Sequence, residues 1–569
     1  MLGVALGRSV SDAFPVARSE RLLRQTQQEC NSNMRPHNKN LMLCVLSFIG
    51  LMSYATSCAA AAKNIYIAQT TTGNGNGLDC ADAVAMGFFN SGSNWGVGSN
   101  QIGPGTTVHL CGIFTGTPGA NGLTAQGSGT SGSPITILFE AGAIMTAPYW
   151  TNAINLNNRQ YLIVDGGTPC GAIQGGGLSP NPCNGTIQNT ANGTNLTYQS
   201  GSVFILAYSC NSCEIRNLGL INNYVHAQCE GSGCDTAAGT TTNSAINFSG
   251  SNFLIHDNSI HDACWAVNDQ AGTGDLNLKF YSNNIYNVAH GLAIYGGNTW
   301  AGPIFFYNNR VHDFQNWDTG SVDAYHADGI HAFGMNFTGI FYIYDNYFTT
   351  LNPCCITGEI FLEGGTGSPW TASGGTFYVF NNVFLEPSGT VNGLVQAYRG
   401  GNSITVNNTV VGPSGSGGDT GTSLESSNLK FANNVISSFG WLFSLGGSGG
   451  TNTYSEFDYQ AYGNCTAYNC FAGTGLFSAW QAAHPGWDVH SSYNASLYLN
   501  SNGSPSSSST MVIGQGQNLT SLCNGNLVPL CSDINGNPRP TNGPWDVGAY
   551  VYTSGNQPAP PTGLAAVPH

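Results

Sequence analysis

Between residues 250 and 440 apolar and polar positions recur in a fixed order. Seven segments superpose: IHDNSI, YSNNIY, FYNNRV, IYDNYF, VFNNVF, TVNNTV and FANNVI. Each carries asparagine at one place, namely Asn258, Asn284, Asn309, Asn346, Asn382, Asn408 and Asn434. Asn or Asp precedes every one, and apolar or β-branched residues flank it. The intervals are 26, 25, 37, 36, 26 and 26 residues. Such runs predict short strands rather than helices. A period near 25 predicts that each repeat is one coil of a solenoid. Asparagine suits a tight corner because it tolerates left-handed backbone geometry, and stacked corner amides can hydrogen-bond from coil to coil. Leucines at fixed offsets and Asn-Gly hairpin turns at matching places are both absent.

A second strand follows in each repeat and ends in glycine: GLAIYGG (291–297), DGIHAFG (328–334), GEIFLEGG (358–365) and GLVQAYRGG (393–401). Registered on the first terminal glycine, Leu292/Ile294, Ile330/Ala332, Ile360/Leu362 and Gln396/Tyr398 form the inward set. Tyr295, Phe333, Glu363 and Arg399, with Ala293, His331, Phe361 and Ala397, form the outward set. Glu359, Asp328 and His290 lie further back toward the turn.

The pattern resembles the right-handed parallel β-helix of the pectin lyase-like superfamily over roughly residues 64–552. The resemblance implies an all-β solenoid with a short N-terminal capping helix. DCADAVAMGFFN (79–90) reads as that helix, GSPITILFEAGA (132–143) as an early coil and DINGNPRPTNGPWDVGAY (533–550) as the closing segment. The tail QPAPPTGLAAVPH resembles a linker and the first residues of a fibronectin type III module, so 63–552 is the expected β-helix domain and 553–569 the truncated start of another. Residues 34–62 have a basic start, an apolar run and a small-residue exit, which is the order of a signal peptide. Met34 is then the expected start and residues 1–33 untranslated or spurious. Cleavage is expected near Ala60–Ala62, with a lipoprotein anchor at Cys58 as the alternative.

Charge then narrows the partners. From Lys63 onward there are 8 basic and 26 acidic residues, so 8 − 26 = −18. Such a surface repels nucleic acid and anionic lipid. Beyond the leader there are 15 cysteines, with close pairs at Cys170/Cys183, Cys229/Cys234, Cys465/Cys470 and Cys523/Cys531. These predict loop-closing disulfides in an oxidising compartment, hence a secreted protein. Cys210 and Cys213 have the spacing of half a zinc site, but no second half follows. The odd count leaves at least one thiol free or paired between chains.

Against this charge-poor background, DAYHADGIHAFG (323–334) is dense in ionisable groups. By register, His331, Glu363 and Arg399 come from three consecutive coils, bordered by Asp328, Glu359 and His326. The two long intervals place insertions at 315–327 and 364–375, and solenoid insertions commonly become loops of a binding face. They bring Trp317, Tyr325 and Trp370, with Trp300 and Tyr295 one coil earlier, as aromatic platforms for sugar rings.

The resemblance implies an enzyme on an extracellular polysaccharide. In β-elimination of a uronate, a base removes the C5 proton while cations stabilise the developing enolate. Arg399 is the expected base, with His331 or His326 as the alternative, and Asp323, Asp328, Glu359 and Glu363 are the expected ligands of a Ca²⁺ ion. A glycoside hydrolase would instead pair Asp328 or Glu359 with Glu363. The NTD, DD, GHG and RIK motifs of polygalacturonases are absent. A third reading is a β-helical adhesin or glycan binder without chemistry. In it Arg399 only bridges to Glu363 and the tryptophans only pack loops. The expected partner is a polysaccharide, the expected state a monomer, with no nucleic acid and no transmembrane segment.

Overall fold

The chain winds as the asparagine repeat requires. A computed structural model describes residues 63–191, 202–223, 244–269, 275–295, 299–300, 302–314, 327–337, 339–349, 358–364, 375–386, 396–412, 420–445, 452–465 and 469–554, within a compact unit spanning Ala62–His569. Strands stack in three columns to make a parallel β-helix. Among the described residues the first column holds fourteen strands, ending with Tyr454–Asp458. The second and third columns share a sheet of 23 described strands. Each strand pairs in parallel with its counterpart one coil away, as Leu278–Tyr281 does with Ile304–Tyr307 and that with Ile340–Tyr344.

Register turns sequence periodicity into a continuous core. In the first column Ile215, Ile255, Phe280, Phe306, Ile343 and Val379 stand opposite one another, coil after coil. All are buried in one apolar cluster that runs the length of the coil. Burying such a side chain contributes ~1.5–3 kcal/mol.

The corner between the first and second columns divides its work between two residues. Asp257, Ser282, Asn308, Asp345, Asn381, Asn407 and Asn433 take the left-handed conformation. The next residue then points its amide along the axis. In Asn346, Nδ2 donates to Asn382 Oδ1 at 2.9 Å and to the Phe306 carbonyl at 2.8 Å. Its Oδ1 accepts from the Asn309 backbone N and side-chain Nδ2 at 3.0 and 3.1 Å. The ladder reads Asn258, Asn283, Asn309, Asn346, Asn382, Asn408, Asn434 and finally Gln460.

Two expectations change here. The ladder residue of the second repeat is Asn283, not Asn284, because Ser282 holds the left-handed corner. Asn284 opens the next strand and its Oδ1 meets His312 Nε2 at 3.0 Å. Gln460, unmarked by the repeat, continues the ladder because its longer side chain presents the same amide.

The ends are closed by different means. The expected helix over 79–90 is interrupted: a 3-10 turn at Cys80–Asp82, the short strand Val84–Ala85 and one helical turn at Gly87–Asn90. The Cys80–Cys111 disulfide and pairing to Lys63–Ala68 hold that stretch against the first coil, and Phe89 plugs the core. At the other end, helix Phe477–Ala483 lays Trp480 onto the core. The closing segment runs back over the outer face of the first column, where Leu519, Leu530 and Trp545 cover Phe305, Tyr342, Tyr344 and Phe380.

Disulfides Cys170–Cys183, Cys465–Cys470 and Cys523–Cys531 form as expected. Cys210 and Cys213 are joined as well, so they are not half of a zinc site. The Cys229/Cys234 pair, residues 1–62 and the tail beyond 554 lie outside the described residues. No helix among the described residues is long and apolar enough to cross a membrane.

Two measurements check this account. Asn346→Ala orphans partners on both neighbouring coils, and its expected cost is ~2–4 kcal/mol. Chemical denaturation should show that loss, while the exposed Gln515→Ala control stays near wild type. Asp488 is buried and accepts from Trp480 Nε1 at 2.7 Å and Ser491 Oγ at 2.6 Å. Burial outweighs these bonds and raises its carboxyl to about 7. The folded state therefore holds this proton more tightly than the unfolded chain. Its contribution is complete below the unfolded value of about 4 and is lost as pH rises through about 7. Melting temperature should fall across that window, and Asp488→Asn should flatten the fall.

Candidate functional site

The third column breaks the ordinary alternation of strand side chains. From Ser244 to Leu362 its strands order residues as outward, inward, inward, outward, inward. The doubled inward pairs are Ala245/Ile246, Ala266/Val267, Gly291/Leu292, Gly329/Ile330 and Glu359/Ile360. Ile246, Val267, Leu292, Ile330 and Ile360 stand opposite one another and all are core residues. Glycine is required in the middle of this series. A Cβ on Gly291 would lie 2.4 Å from the Gly329 carbonyl oxygen. One on Gly329 would lie 2.4 Å from the Glu359 carbonyl oxygen and 3.0 Å from the core ring of Phe348.

The doubled step brings residues three apart to the same outer side. On one coil these are His290 and Ala293, on the next Asp328 and His331. His331 Nδ1 lies 3.1 Å from Asp328 Oδ2, and His290 Nε2 lies 3.8 Å from the same oxygen. The two imidazoles stack with centroids 5.7 Å apart and planes 11° apart. Trp265 flanks His290 at 5.2 Å, and the edge of Phe361 meets His331 at 5.1 Å. All three polar residues are buried. The carboxylate and Nδ1 stand at ion-pair distance, and a turn of the ring that aligned them would fix the tautomer that leaves Nε2 as a base.

The same outer side carries a second feature. In the row of His331 stand Asn247, Asn268 and Ala293, and in the row of Asp328 stand Ser244, Trp265 and His290. Ser244, Asn247 and Asn268 are no more than 1% exposed. Both amides and the Ser244 hydroxyl have no hydrogen-bond partner. Each such group costs ~1–3 kcal/mol.

The expected residues separate as follows. Asp328 and His331 come together, with His290 as the third member. His290 was legible from the glycine register, since it falls opposite Asp328. Glu359 turns inward instead: its Oε2 would lie 3.1 Å from a Cβ on Gly329, beside Phe348. Strands Asp328–Phe337, Gly358–Gly364 and Gln396–Gly401 are neighbours, so His331, Glu363 and Arg399 share one column. A one-residue register shift follows Ala332, and Arg399 lies opposite Glu425. Tyr295 stands opposite Phe333 and Trp300 opposite Phe337. Trp317, Asp323, Tyr325, His326 and Trp370 lie outside the described residues.

His290, Asp328 and His331 each offer one donor atom, and these atoms lie within 4.8 Å of one another. Two imidazoles and one carboxylate suit a borderline ion such as zinc. Calcium prefers six to eight oxygens.

Another titratable cluster lies on the first column. Arg216 Nη2 meets Asp165 Oδ2 at 2.8 Å and also pairs with Glu214. His256 bridges Glu214 at 3.0 Å and Asp257 at 2.6 Å. Burial disfavours charge on Glu214 and His256. The mutual hydrogen bonds and charges win, holding Glu214 below and His256 above their ordinary values. Each cation here is held between two carboxylates, so the cluster reads as structural. Beyond it Tyr281, Tyr307, Tyr344 and Phe380 stack face to face at about 5 Å. Their faces are spent on one another and offer no sugar platform.

No protein-family model and no curated protein matches the chain. Among solved structures it is similar to pectate lyase Pel9A, at 13% identity and a TM-score of 0.41, over 86% of this chain and 96% of that one. It is also similar to the GH136 lacto-N-biosidase from Eubacterium ramulus, at 12% and 0.40, over 76% of this chain and 67% of that one. For the PL6 family alginate lyase AlyGC the values are 12% and 0.33, over 72% and 53%. Likeness of this degree names no reaction.

Gly329→Ala tests the doubled inward step. The added methyl meets backbone at 2.4 Å, so the strands must part. A loss of ~1–3 kcal/mol in denaturation is expected, against little change for Gly87→Ala, where φ is ordinary and nothing lies within 4 Å.

Proposed function

We propose that this protein is a carbohydrate-active enzyme that cleaves a polysaccharide by β-elimination, with His331 as the base. The observation that carries the reading is the His331–Asp328 couple at 3.1 Å on the outer side of the third column. Asp328 is the positioning residue. Its carboxylate, 3.1 Å from Nδ1, stabilises the imidazolium once Nε2 takes the proton.

The step balances within the substrate. Nε2 removes the proton from C5 of a uronate unit. That electron pair forms the C4–C5 double bond as the C4–O bond to the departing sugar breaks. The proton on the imidazolium then passes to the leaving oxygen, and the base is restored. The enolate that develops at the uronate carboxyl calls for a cation. Arg399 is the one Lys or Arg on the described third-column strands, two coils beyond His331. The five disulfides among the described residues fit an exported protein.

One observation favours a second reading. The His290, Asp328 and His331 donors are close enough for a divalent ion to draw together. It would then be the ion that polarises the substrate, and His331 could not serve as the base. Among the described residues, Asp328 is the member of the expected calcium set that belongs to this cluster.

The test is a panel of uronate-containing and neutral polysaccharides. An unsaturated product absorbing at the ultraviolet edge is expected from the uronate members. His331→Gln should lower turnover by ~10²–10⁴-fold with little change in melting temperature, and Asp328→Asn by a smaller factor. Unchanged turnover in His331→Gln defeats the assignment. New reducing ends without unsaturation would mean a hydrolase, and retention on a glycan column without turnover a binder. Turnover that survives chelation supports the free base. Loss on chelation with rescue by zinc or calcium supports the ion.

A further inference from the structure

We infer that Ser244, Asn247 and Asn268 form a binding subsite for a neutral, hydroxyl-rich sugar unit on the side of His331 away from Arg399; this rests on the reading of the third column as a glycan face. The observation is a contrast between two amide stacks in one molecule. The corner asparagines are buried, stacked coil on coil, and satisfied by neighbours. Asn247 and Asn268 are equally buried and also stand opposite one another in adjacent coils. Yet both Oδ1 and both Nδ2 lack partners, and so does Ser244 Oγ in the same strand. A fold that satisfies one amide ladder completely has not left a second bare for want of suitable chemistry.

Orientation supports a ligand. Ile246, Phe248, Ala266 and Val267 belong to the core, so Asn247 and Asn268 project to the other side. That is the side of His331, in whose row they stand. At about 4.8 Å per coil, Asn268 lies about 10 Å and Asn247 about 14 Å from His331 along the axis. Ala293, whose side chain is a single methyl, stands between Asn268 and His331 in that row.

The chemistry selects the class. Each amide offers two donors and an acceptor oxygen, and the serine one donor and an acceptor. A sugar hydroxyl is likewise both donor and acceptor. No Lys or Arg stands on Ser244–Phe248 or Ser259–Asp269 to pair with a carboxylate. The glycan would then be a heteropolymer, with neutral units over the amides and an acidic unit toward Arg399.

The experiment uses the full chain and the variants Asn247→Leu and Asn268→Leu. Calorimetric titration with gluco-, manno-, xylo- and galacto-hexasaccharides measures the subsite without requiring turnover. At least one neutral hexasaccharide should bind wild type, and each variant should weaken it about tenfold, the effect of one lost hydrogen-bonding pair. On a cleaved heteropolymer KM should rise by a similar factor with kcat within about twofold. Replacing an unpartnered buried amide by an apolar group should leave melting temperature unchanged or raise it. The subsite is overturned if affinity and KM are unchanged in both variants, which means that the amides hold water only. It is also overturned if melting temperature falls in both, which marks a structural role, or if no hexasaccharide binds wild type. Binding that depends on the asparagines without turnover of any polysaccharide would defeat the enzymatic reading and leave the subsite standing.

Discussion

The structure depends on one hydrogen-bonded corner repeated without a break. At each turn from the first to the second column, an amide donates to its successor and to a carbonyl of the coil before. The side chain thereby satisfies backbone and side-chain groups that a sharp, buried bend would otherwise strand. A coil that slipped by one residue would break these bonds on both faces and turn its apolar set outward. The ladder therefore does more than add stability: it holds adjacent coils in register over some two hundred residues, from Asn258 to Gln460. Division of labour at the corner keeps this possible. The left-handed residue varies among Asp, Ser and Asn, while the amide behind it stays constant until glutamine closes the series.

Register, once locked, decides what the third column can present. Strict alternation would put residues 328 and 331 on opposite faces. The doubled inward step carries both outward, and the step exists because Ala245, Ala266, Gly291 and Gly329 are small enough to pack where a second inward side chain would collide. Glu359 occupies the same inward row at the next coil, one carboxyl placed beside the core ring of Phe348. The outer side thus passes from unpartnered amides through an imidazole–carboxylate cluster toward the coil of Arg399. A gradient of this kind suits a ligand lying along the axis better than one held at a point.

The other polar features of the molecule serve closure. In the network of Asp165, Glu214, Arg216, His256 and Asp257 each cation is held between two carboxylates. The tyrosine stack beyond it is roofed in part by the closing segment, with Arg539 lying over Trp545 at 5.3 Å. These residues cover the outer face of the first column and leave chemistry to the third. The repeat of His followed by Asp, at His256, His261 and His312, belongs to this structural set. In each pair the aspartate takes the left-handed corner and binds Nδ1 of the histidine before it.

The sequence by itself determined the winding. Periodic Asn between apolar flanks can be satisfied by stacked corners, and the glycine-registered strands align as Leu292, Ile330, Ile360 and Gln396 in the folded chain too. That part was legible because it is local and repeated, so each copy corroborates the next. Asn283 was misplaced by one because Ser-Asn-Asn allows two alignments and only backbone dihedrals choose between them. Asp328 and His331 were visible as ionisable residues, but not as a couple. Their contact needs two consecutive inward residues, and that step is set by how closely Gly329 approaches the neighbouring coil. Asn247 and Asn268 gave no signal at all in a chain so rich in asparagine. Only the tertiary structure separates them from the ladder, because whether a buried amide is satisfied depends on which groups other coils bring within reach.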